Sequence, residues 1–383
     1  MEASEFKDSF GRLALKEDKE HGKYISFIPN KLPPKFDYTP SLVLSLSKAD
    51  STLSKLSGAG LLLPNPDLLI IPYLKKEALS SSRIEGTQIS LSDYFLSEAK
   101  GITKEDLEAT EVGNYIRAIK YGLNEIKTKA ISVDLIKEMH KILLRGVRGD
   151  DLLPGNFRPV QNWIGPKNTK IKDATFVPPL KEEVERLVKE LIEYLNTHDE
   201  VPLLIKCALM HYQFETIHPF CDGNGRIGRT LITLYLCKKN KISKPLLYAS
   251  DYFEKHRREY YEILLTTNKT GKFEEWIKFF LEAIKVQSED ALDRTIKIQK
   301  LREDYRKKTK NHKQANNLLN VIDALFLNPF VHINQISKTL KVTYPTAKKA
   351  VDNLVKLGIL KPLGDVERNK LFVAHEILNI ITV

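Results

Sequence analysis

A twelve-residue segment, residues 218–229 (HPFCDGNGRIGR), combines side chains that suit phosphate chemistry. It holds a histidine that can accept a proton, a carboxylate that can bind a hard cation, glycines around an amide, and two arginines. Helical patterns lie on both sides, so we expect a loop that opens onto a helix N-terminus. The free backbone N–H groups and partial positive charge there favour an anion. The segment therefore indicates a site that holds a polyphosphate on a metal ion and moves a proton beside it.

The side chains of this segment suggest individual roles. His218 titrates near working pH and is the candidate proton acceptor, although a histidine can also simply satisfy a helix end. Asp222 is a hard oxygen ligand suited to Mg²⁺, or else a loop cap. The candidate phosphate-binding residues are Gly223, Asn224, Gly225, Arg226 and Arg229. Asn224 either donates to phosphate oxygens or adopts a left-handed turn, and the two arginines should share one helix face.

The composition is that of an ordinary soluble globular protein. Its 383 residues, 42% hydrophobic and 28% charged, suffice for two or three compact units. We find no bilayer-spanning apolar run and no secretory signal, and we expect a cytoplasmic protein. The three cysteines, Cys207, Cys221 and Cys237, match no metal-ligand spacing and are expected to be reduced thiols. The net charge of +11 favours nucleic acid, nucleotides or acidic partners.

Periodicity predicts a mainly α fold. We expect helices over residues 41–56, 72–85, 107–127, 132–144, 180–196, 202–214, 227–239, 252–266 and 273–299. Residues 1–39 are polar with scattered prolines and are expected to form an extended arm or irregular cap. Residues 146–179 are rich in Gly, Pro and Asn, and two short extended pieces around a polar turn predict a hairpin or flap.

The last part of the chain has a different pattern. Helices over residues 316–326, 333–340 and 345–357, followed by a strand–turn–strand pair over 358–373, predict a winged helix-turn-helix. We therefore divide the chain into an N-terminal helical region (1–110), a catalytic core (111–290), a basic linker or helix (291–315) and a winged helix-turn-helix domain (316–383).

The segment at 218–229 resembles the signature of the Fic family, His-x-Phe-x-(Asp/Glu)-Gly-Asn-Gly-Arg-x-x-Arg, without departures. The resemblance implies a helical core with a β-hairpin flap that moves AMP from ATP to a Ser, Thr or Tyr hydroxyl of a target protein, and of the chain itself. His218 would deprotonate that hydroxyl, and Asp222 would hold Mg²⁺. The implied ATP-binding residues are Gly223, Asn224, Gly225, Arg226, Ile227, Gly228 and Arg229, with Tyr252 and Tyr260 near the adenine.

A second segment, residues 81–86 (SSRIEG), resembles the family's inhibitory motif, (Ser/Thr)-x-x-x-Glu-(Gly/Asn). Ser81 and Glu85 lie one turn apart on one helix face. The resemblance implies that Glu85 pairs with Arg229 and occupies the guanidinium that should bind the γ-phosphate. The alternative is an ordinary helix that ends at Gly86.

Several functions stay open at this stage. A DNA-binding regulator is the main alternative, with Thr343, Tyr344, Thr346, Lys348 and Lys349 at the start of the recognition helix. The winged helix could equally serve protein interaction. Within the Fic family, the alternatives are transfer of UMP, phosphocholine or phosphate, and removal of AMP with Glu85 positioning a water. The resemblance also implies a homodimer, and we expect no membrane partner.

Overall fold

The computed structural model describes residues 2–61, 65–103, 105–166, 168–364 and 370–382. Helices make up most of this described part, which confirms the mainly α fold. No helix within it combines the length and apolar character needed to cross a membrane.

A β-hairpin at the N-terminus replaces the expected arm. Strands β1 (Gly11–Asp18) and β2 (Gly22–Pro29) pair antiparallel, with Gly11 opposite Pro29. Charged residues in β1 hide the alternation that would predict a strand, because its outer face is exposed to solvent. The hairpin is held by tertiary contact, since the N–H of Phe27 donates to the carbonyl of Val177 in the predicted flap at 3.0 Å.

Five helices follow the hairpin. They are α1 (Pro40–Leu61), α2 (Asp67–Ile84), α3 (Leu91–Lys100), α4 (Leu107–Glu125) and α5 (Val133–Leu144). Ser132 caps α5, because its hydroxyl accepts the N–H of Leu135 at 3.2 Å. Helix α2 ends just before Glu85, so the segment that resembles an inhibitory motif lies at the end of a long, largely buried helix.

The flap and the central helices come next. In the irregular stretch after α5, Ile164 and Phe176 exchange two backbone hydrogen bonds of 2.8 and 3.0 Å and form one isolated antiparallel bridge. The helices that follow are α6 (Val184–Asn196), α7 (Leu203–Ile217), α8 (Asn224–Lys238), α9 (Ser250–Lys255), α10 (Arg257–Thr270) and α11 (Phe273–Thr309). Helices α7 and α8 are buried on nearly every side, as befits the centre of a helical domain.

Two helix predictions in this part were wrong in their bounds. The single helix expected over residues 252–266 is interrupted at His256, whose φ of −112° and ψ of 32° separate α9 from α10. The helix expected to end at residue 299 continues without interruption to Thr309. The basic stretch is therefore helical, because many acidic side chains lie three or four residues from its lysines and arginines.

The C-terminal unit comprises the elements after α11. It contains α12 (Ala315–Leu327), β3 (Phe330–His332), α13 (Ile333–Leu340), α14 (Tyr344–Lys356), β4 (Lys361–Leu363), β5 (Leu371–Val373) and α15 (His375–Thr382). The strands form an antiparallel sheet in the order β3–β5–β4. The winged-helix prediction rests on these helices and strands and stays a prediction. Its turn between β4 and β5 lies largely outside the described residues.

The main hydrophobic core runs through most of the described chain, and two small clusters lie at the N-terminal hairpin and the flap. A single cluster of buried side chains extends from Ile28 in β2 to Ile381 in α15. It includes Trp276 of α11 and Phe326 of α12, both fully buried. The C-terminal unit therefore packs onto the helical domain rather than hanging from it on a free linker.

Candidate active site

The loop between α7 and α8 has a defined conformation. His218 ends α7 in the left-handed region, with φ of 50°, and Gly223 precedes α8 with φ of 77°. The Asn224 side chain closes the loop on itself, because its Oδ1 accepts the N–H of Phe220 and its Nδ2 donates to the carbonyl of Phe220, both at 2.8 Å. The ring of Phe220 stacks on His140 with 3.8 Å between ring centroids. The loop is thereby held rigidly against the core.

The His218 ring is set up to accept a proton. Its Nδ1 lies 3.2 Å from the carbonyl oxygen of Glu215, so Nδ1 carries the hydrogen and Nε2 keeps a free lone pair. Burial lowers the pKa of His218 to about 4, so the ring is neutral at neutral pH. The Nε of Arg158 donates to the carbonyl of His218 at 2.9 Å and fixes its backbone.

Asp222 and Arg226 face each other at the start of α8. Oδ1 of Asp222 accepts the N–H of Gly223 at 2.6 Å and lies 3.4 Å from Nη2 of Arg226. The Arg226 guanidinium is buried, and its Nε and Nη1 have no hydrogen-bond partner among the described residues. Buried donors without acceptors are costly. This arrangement therefore suits a bound anion.

Glu85 covers the second arginine. Nη2 of Arg229 donates to Oε1 of Glu85 at 2.7 Å, and its Nε donates to the Ser81 hydroxyl at 2.9 Å. Burial opposes ionisation of Glu85, but the Arg229 guanidinium outweighs it and holds the pKa of Glu85 below its usual value. A Cβ on Gly225 would lie 2.3 Å from Oε1 of Glu85, so only glycine allows this close approach. The carboxylate thus lies directly over the first turn of α8.

A cavity of about 620 Å³ joins these groups. From the two predicted segments it is lined by Glu85, His218, Cys221, Asp222, Gly223, Asn224, Gly225 and Arg229. One wall is the flap around the bridge between Ile164 and Phe176. Another wall is α10, which contributes Tyr261, Glu262, Leu264, Leu265 and Asn268. The cavity therefore has a polar end at the α8 N-terminus and a wall of mixed polarity at α10.

Comparison with known proteins finds two family models that match the chain. A model described as the Fic/DOC family N-terminal domain matches residues 43–124, and a model described as the Fic/DOC family matches residues 130–236.

The chain belongs to the Fic/DOC family.

Curated relatives of this Fic/DOC chain carry names that state an activity. A protein adenylyltransferase Fic from Nematostella vectensis is 30% identical over 206 residues, which are 52% of this chain and 44% of that protein. The protein adenylyltransferase fic-1 of Caenorhabditis elegans is 28% identical over 44% of this chain and 33% of its own length. The chain thus spans less than half the length of these two relatives. A probable protein adenylyltransferase from Aquifex aeolicus is 24% identical over 73% of this chain and 76% of its own.

Solved Fic structures share the fold. The crystal structure of a Fic family protein from Desulfovibrio desulfuricans G20 has a TM-score of 0.56 and 19% identity, and covers 90% of this chain and 98% of that one. Fic-1 from Caenorhabditis elegans has a TM-score of 0.50 and 22% identity, covering 68% of this chain and 75% of that one. At these identities the likeness concerns the fold alone.

Two predicted adenine residues lie outside the cavity of this Fic/DOC chain. Tyr260 is fully buried and bonds through its hydroxyl to Nε2 of His211 at 2.8 Å. Tyr252 packs edge-on against Phe279, with 5.5 Å between ring centroids. Successive residues on a helix point about 100° apart, so Tyr261 faces the cavity while Tyr260 faces the core.

Four of the predicted ATP-binding residues either do not reach the cavity or have side chains that are already used within the loop. Ile227 is a core residue, and Gly228 lies against Glu215, where a Cβ would come within 2.2 Å of Oε1. Arg226 is buried behind Asp222 and does not line the cavity. The side-chain amide of Asn224 is already hydrogen-bonded to the backbone of Phe220 through both Oδ1 and Nδ2. Asn224 therefore offers its backbone to the cavity.

The sequence interpretation missed part of the cavity wall. Tyr261, Leu264 and Asn268 have helical spacing toward one face, a signal that could have identified them. Glu215 also lines the cavity, and burial raises its pKa to about 8. No regular spacing in the sequence marks Glu215 as a cavity residue. Its burial is visible only in the folded structure.

Proposed function

We propose that the chain transfers AMP from ATP to a Ser, Thr or Tyr hydroxyl of a target protein, and to itself. The observation that carries the proposal is the neutral His218 ring, whose free Nε2 shares one cavity with the N-terminus of α8. The names of the curated relatives support the same reaction. Arg226 and Arg229, both buried beside this end, supply the positive charge.

The reaction is an in-line displacement at the α-phosphorus. Nε2 of His218 takes the proton of the target hydroxyl as its oxygen bonds to the α-phosphorus. The bond from the α-phosphorus to the oxygen bridging to the β-phosphate breaks, and pyrophosphate leaves. The flap bridge between Ile164 and Phe176 offers backbone groups to an extended target segment and would hold the hydroxyl in line.

The residues around Asp222 fit a magnesium ion bound with the nucleotide. No group of three acidic, histidine or cysteine side chains able to hold a metal occurs in the described ranges. Mg²⁺ typically takes only one or two protein carboxylates and completes its shell with phosphate oxygens and water. Asp222 would hold the ion, which would neutralise phosphate charge when bound. The backbone N–H groups of residues 223–225 suit the phosphates beside it, and the buried Arg226 guanidinium adds positive charge behind Asp222.

Autoinhibition forms the second part of the proposal. Glu85 occupies the Arg229 guanidinium, which is the group that a γ-phosphate would require. Two anions compete for one buried cation, so ATP should bind with its phosphates displaced until Glu85 withdraws. The side chains of Tyr261, Leu264 and Leu265 on the α10 wall would still take the base.

A labelling assay with α-labelled ATP tests both parts. We expect Glu85→Ala to increase labelling at least about tenfold over the natural chain, and Glu85→Ala with His218→Ala to label nothing. Glu289→Ala, on the exposed face of α11 and outside the cavity, is the matched control and should leave labelling unchanged. Retained labelling without His218 would remove the assigned base, and no gain from Glu85→Ala would remove the inhibitory role.

Other transferred groups and assembly states are resolved by related measurements. Labelled UTP, a labelled phosphocholine donor and γ-labelled ATP, offered to the Glu85→Ala variant, distinguish transfer of UMP, phosphocholine or phosphate. Loss of label from a pre-labelled protein reports removal of AMP. Light scattering of the natural chain tests the homodimer that we propose from the family resemblance.

A basic groove in the C-terminal unit favours DNA binding as a second function. The groove has a volume of about 510 Å³ and is lined by Lys348, Lys356 and Lys370 together with Tyr344. Lys348 pairs with Asp352 at 3.2 Å, whereas Lys356 and Lys370 have no ion pair within the described chain. Unpaired lysines along a groove suit a phosphate backbone.

Fluorescence anisotropy with duplex DNA at several salt concentrations tests this second function. Replacing Lys356 and Lys370 by alanine should weaken binding and reduce the salt slope by about 1 per lysine that contacts phosphate. Absence of binding by the natural chain at low salt would exclude it.

A further inference from the structure

The helix that carries Ser81 and leads to Glu85 is fastened at its other half to the C-terminal unit. Lys75 lies on α2 ten residues before Glu85, which corresponds to roughly 15 Å along the helix. Its side chain is almost fully buried, and its Nζ donates to the carbonyl of Leu327, the last residue of α12, at 2.9 Å. The helix that leads to Glu85 is thus in direct, buried contact with the C-terminal unit.

The contact belongs to a closed polar cluster of three side chains. Nζ of Lys75 also donates to Oε2 of Glu98 on α3 at 2.5 Å. The same oxygen accepts a hydrogen bond from Nδ2 of Asn328 at 2.8 Å, and Asn328 also donates to the carbonyl of Phe95 at 3.0 Å. Asn328 directly follows α12, so Lys75, Glu98 and Asn328 connect α2, α3 and the C-terminal unit; we call them the junction cluster.

Two of the three side chains in the junction cluster are buried, and the third, Glu98, is 34% exposed. Lys75 and Asn328 are 5% and 8% exposed, so neither can exchange its partners for water without an opening of the interface. Burial lowers the pKa of Lys75, and Glu98 partly compensates by favouring the charged ammonium. If the buried Lys75 ammonium lost one of its acceptors, it would still be shielded from water and would have too few hydrogen bonds. A partly broken contact is therefore unfavourable.

Further contacts join the C-terminal unit to α2. Arg294 on α11 donates to the carbonyls of Ile380 and Ile381 at the end of α15, at 2.6 and 3.2 Å. Ile381 in turn lies beside Pro72 and Lys76 of α2. The last helix of the chain therefore touches the same helix as the junction cluster, one turn away from it.

We propose that the C-terminal unit clamps α2 through the junction cluster and thereby sets the strength of the Glu85–Arg229 pair. This inference rests on the proposed function, because it assigns a control to the same site. A ligand that shifts the C-terminal unit would draw α2 away from α8 and free Arg229. The coupling is reciprocal, so a nucleotide that displaces Glu85 would also loosen the junction cluster.

A double-mutant design tests the clamp. Asn328→Ala removes both donors of that side chain at the junction, and Asn320→Ala, on the exposed face of α12, is its matched control. Labelling from α-labelled ATP should rise at least about fivefold in Asn328→Ala and stay unchanged in Asn320→Ala. In the Glu85→Ala background Asn328→Ala should add nothing, because the contact that it weakens is already absent.

Hydrogen exchange gives a readout that does not depend on catalysis. Amides of residues 78–86 should exchange faster in Asn328→Ala than in the natural chain or in Asn320→Ala. If Asn328→Ala lowers the melting temperature too far, Glu98→Gln, which keeps the size of the side chain, replaces it with the same expected results.

The outcomes separate the clamp from the function on which it rests. If Glu85→Ala labels no protein, the adenylyltransferase proposal fails, and hydrogen exchange alone decides the clamp. If labelling works but Asn328→Ala and Glu98→Gln leave both labelling and exchange unchanged, the clamp is wrong. An equal gain from Asn328→Ala with and without Glu85 also overturns it, because the effect would then bypass the inhibitory pair.

Discussion

His218 illustrates how position changes the chemistry of a side chain. A solvent-exposed histidine titrates at about 6.5 and is partly charged at neutral pH. Here burial lowers the pKa to about 4, and the Glu215 carbonyl selects the tautomer with a free Nε2. The residue type suggested a proton acceptor, and the surrounding fold keeps that acceptor unprotonated.

The first prediction concerns pH. With Glu85→Ala, the rate of AMP transfer should stay level from about pH 6, where Glu215 is already protonated, to about pH 5 and fall toward pH 4, because protonation of His218 removes the base. Glu85 slightly raises the pKa of His218, so its removal does not shift the fall upward. Initial labelling rates across this range provide the measurement, with circular dichroism to show that the variant stays folded. A midpoint near pH 6.5 would contradict the burial argument.

At the scale of elements, the loops and helix ends decide the geometry of the site. The motif loop is held by the Asn224 amide and by Phe220, and α8 begins where that loop ends. Helices α7 and α8 were predicted to within about three residues of their observed ends, because apolar residues recur along their whole length. The N-terminal hairpin was not predicted, because β2 gains its partners from the distant flap, where the Ser26 hydroxyl donates to the carbonyl of Pro178 at 2.7 Å.

The second prediction concerns this hairpin. Phe27 is fully buried and contacts Phe6 and Phe176, with ring centroids 5.5 and 5.8 Å apart. Phe27→Ala should lower the free energy of unfolding by about 3–5 kcal/mol and increase hydrogen exchange at Ile164 and Phe176 in the flap.

The control for the hairpin lies on its other strand. Leu15 in β1 is 72% exposed, and Leu15→Ala should change the free energy of unfolding by no more than about 0.5 kcal/mol. Equal flap exchange in both variants would show that the hairpin does not support the flap. Urea unfolding and exchange on the same samples make the comparison.

At the scale of the whole molecule, α11 is the main connecting element. It runs from the helical domain into the C-terminal unit, where Arg302 makes a two-point contact with Asp323 of α12 at 2.7 and 3.0 Å. The hydroxyl of Tyr305 donates to Glu376 of α15 at 2.7 Å. The basic sequence, predicted to be a linker or a helix, is thus largely a packed helix that joins both parts through the main core.

The third prediction follows from that shared core. Both tryptophans, Trp163 and Trp276, lie before the C-terminal unit, so fluorescence reports on the helical domain while far-ultraviolet circular dichroism reports on all helices. The two signals should give coincident urea transitions. A circular dichroism transition that precedes the fluorescence transition would mean that the C-terminal unit unfolds by itself, and would weaken the clamp proposal.

The sequence by itself determined the class of fold and indicated the chemistry. The spacing within residues 218–229 predicts a phosphate site, and the apolar periodicity predicts helices, because both signals are local along the chain. The family resemblance added the pairing of Glu85 with Arg229, two residues 144 positions apart.

Only the tertiary structure decided which groups face each other. It placed Tyr261 rather than Tyr260 on the cavity wall, paired β2 with the flap, and joined Lys75 to the end of α12, 252 residues away. Periodicity identifies the buried face of a helix but not the element that buries it. Polar contacts between distant elements leave no repeat in the sequence, so their partners emerge only when the core has assembled.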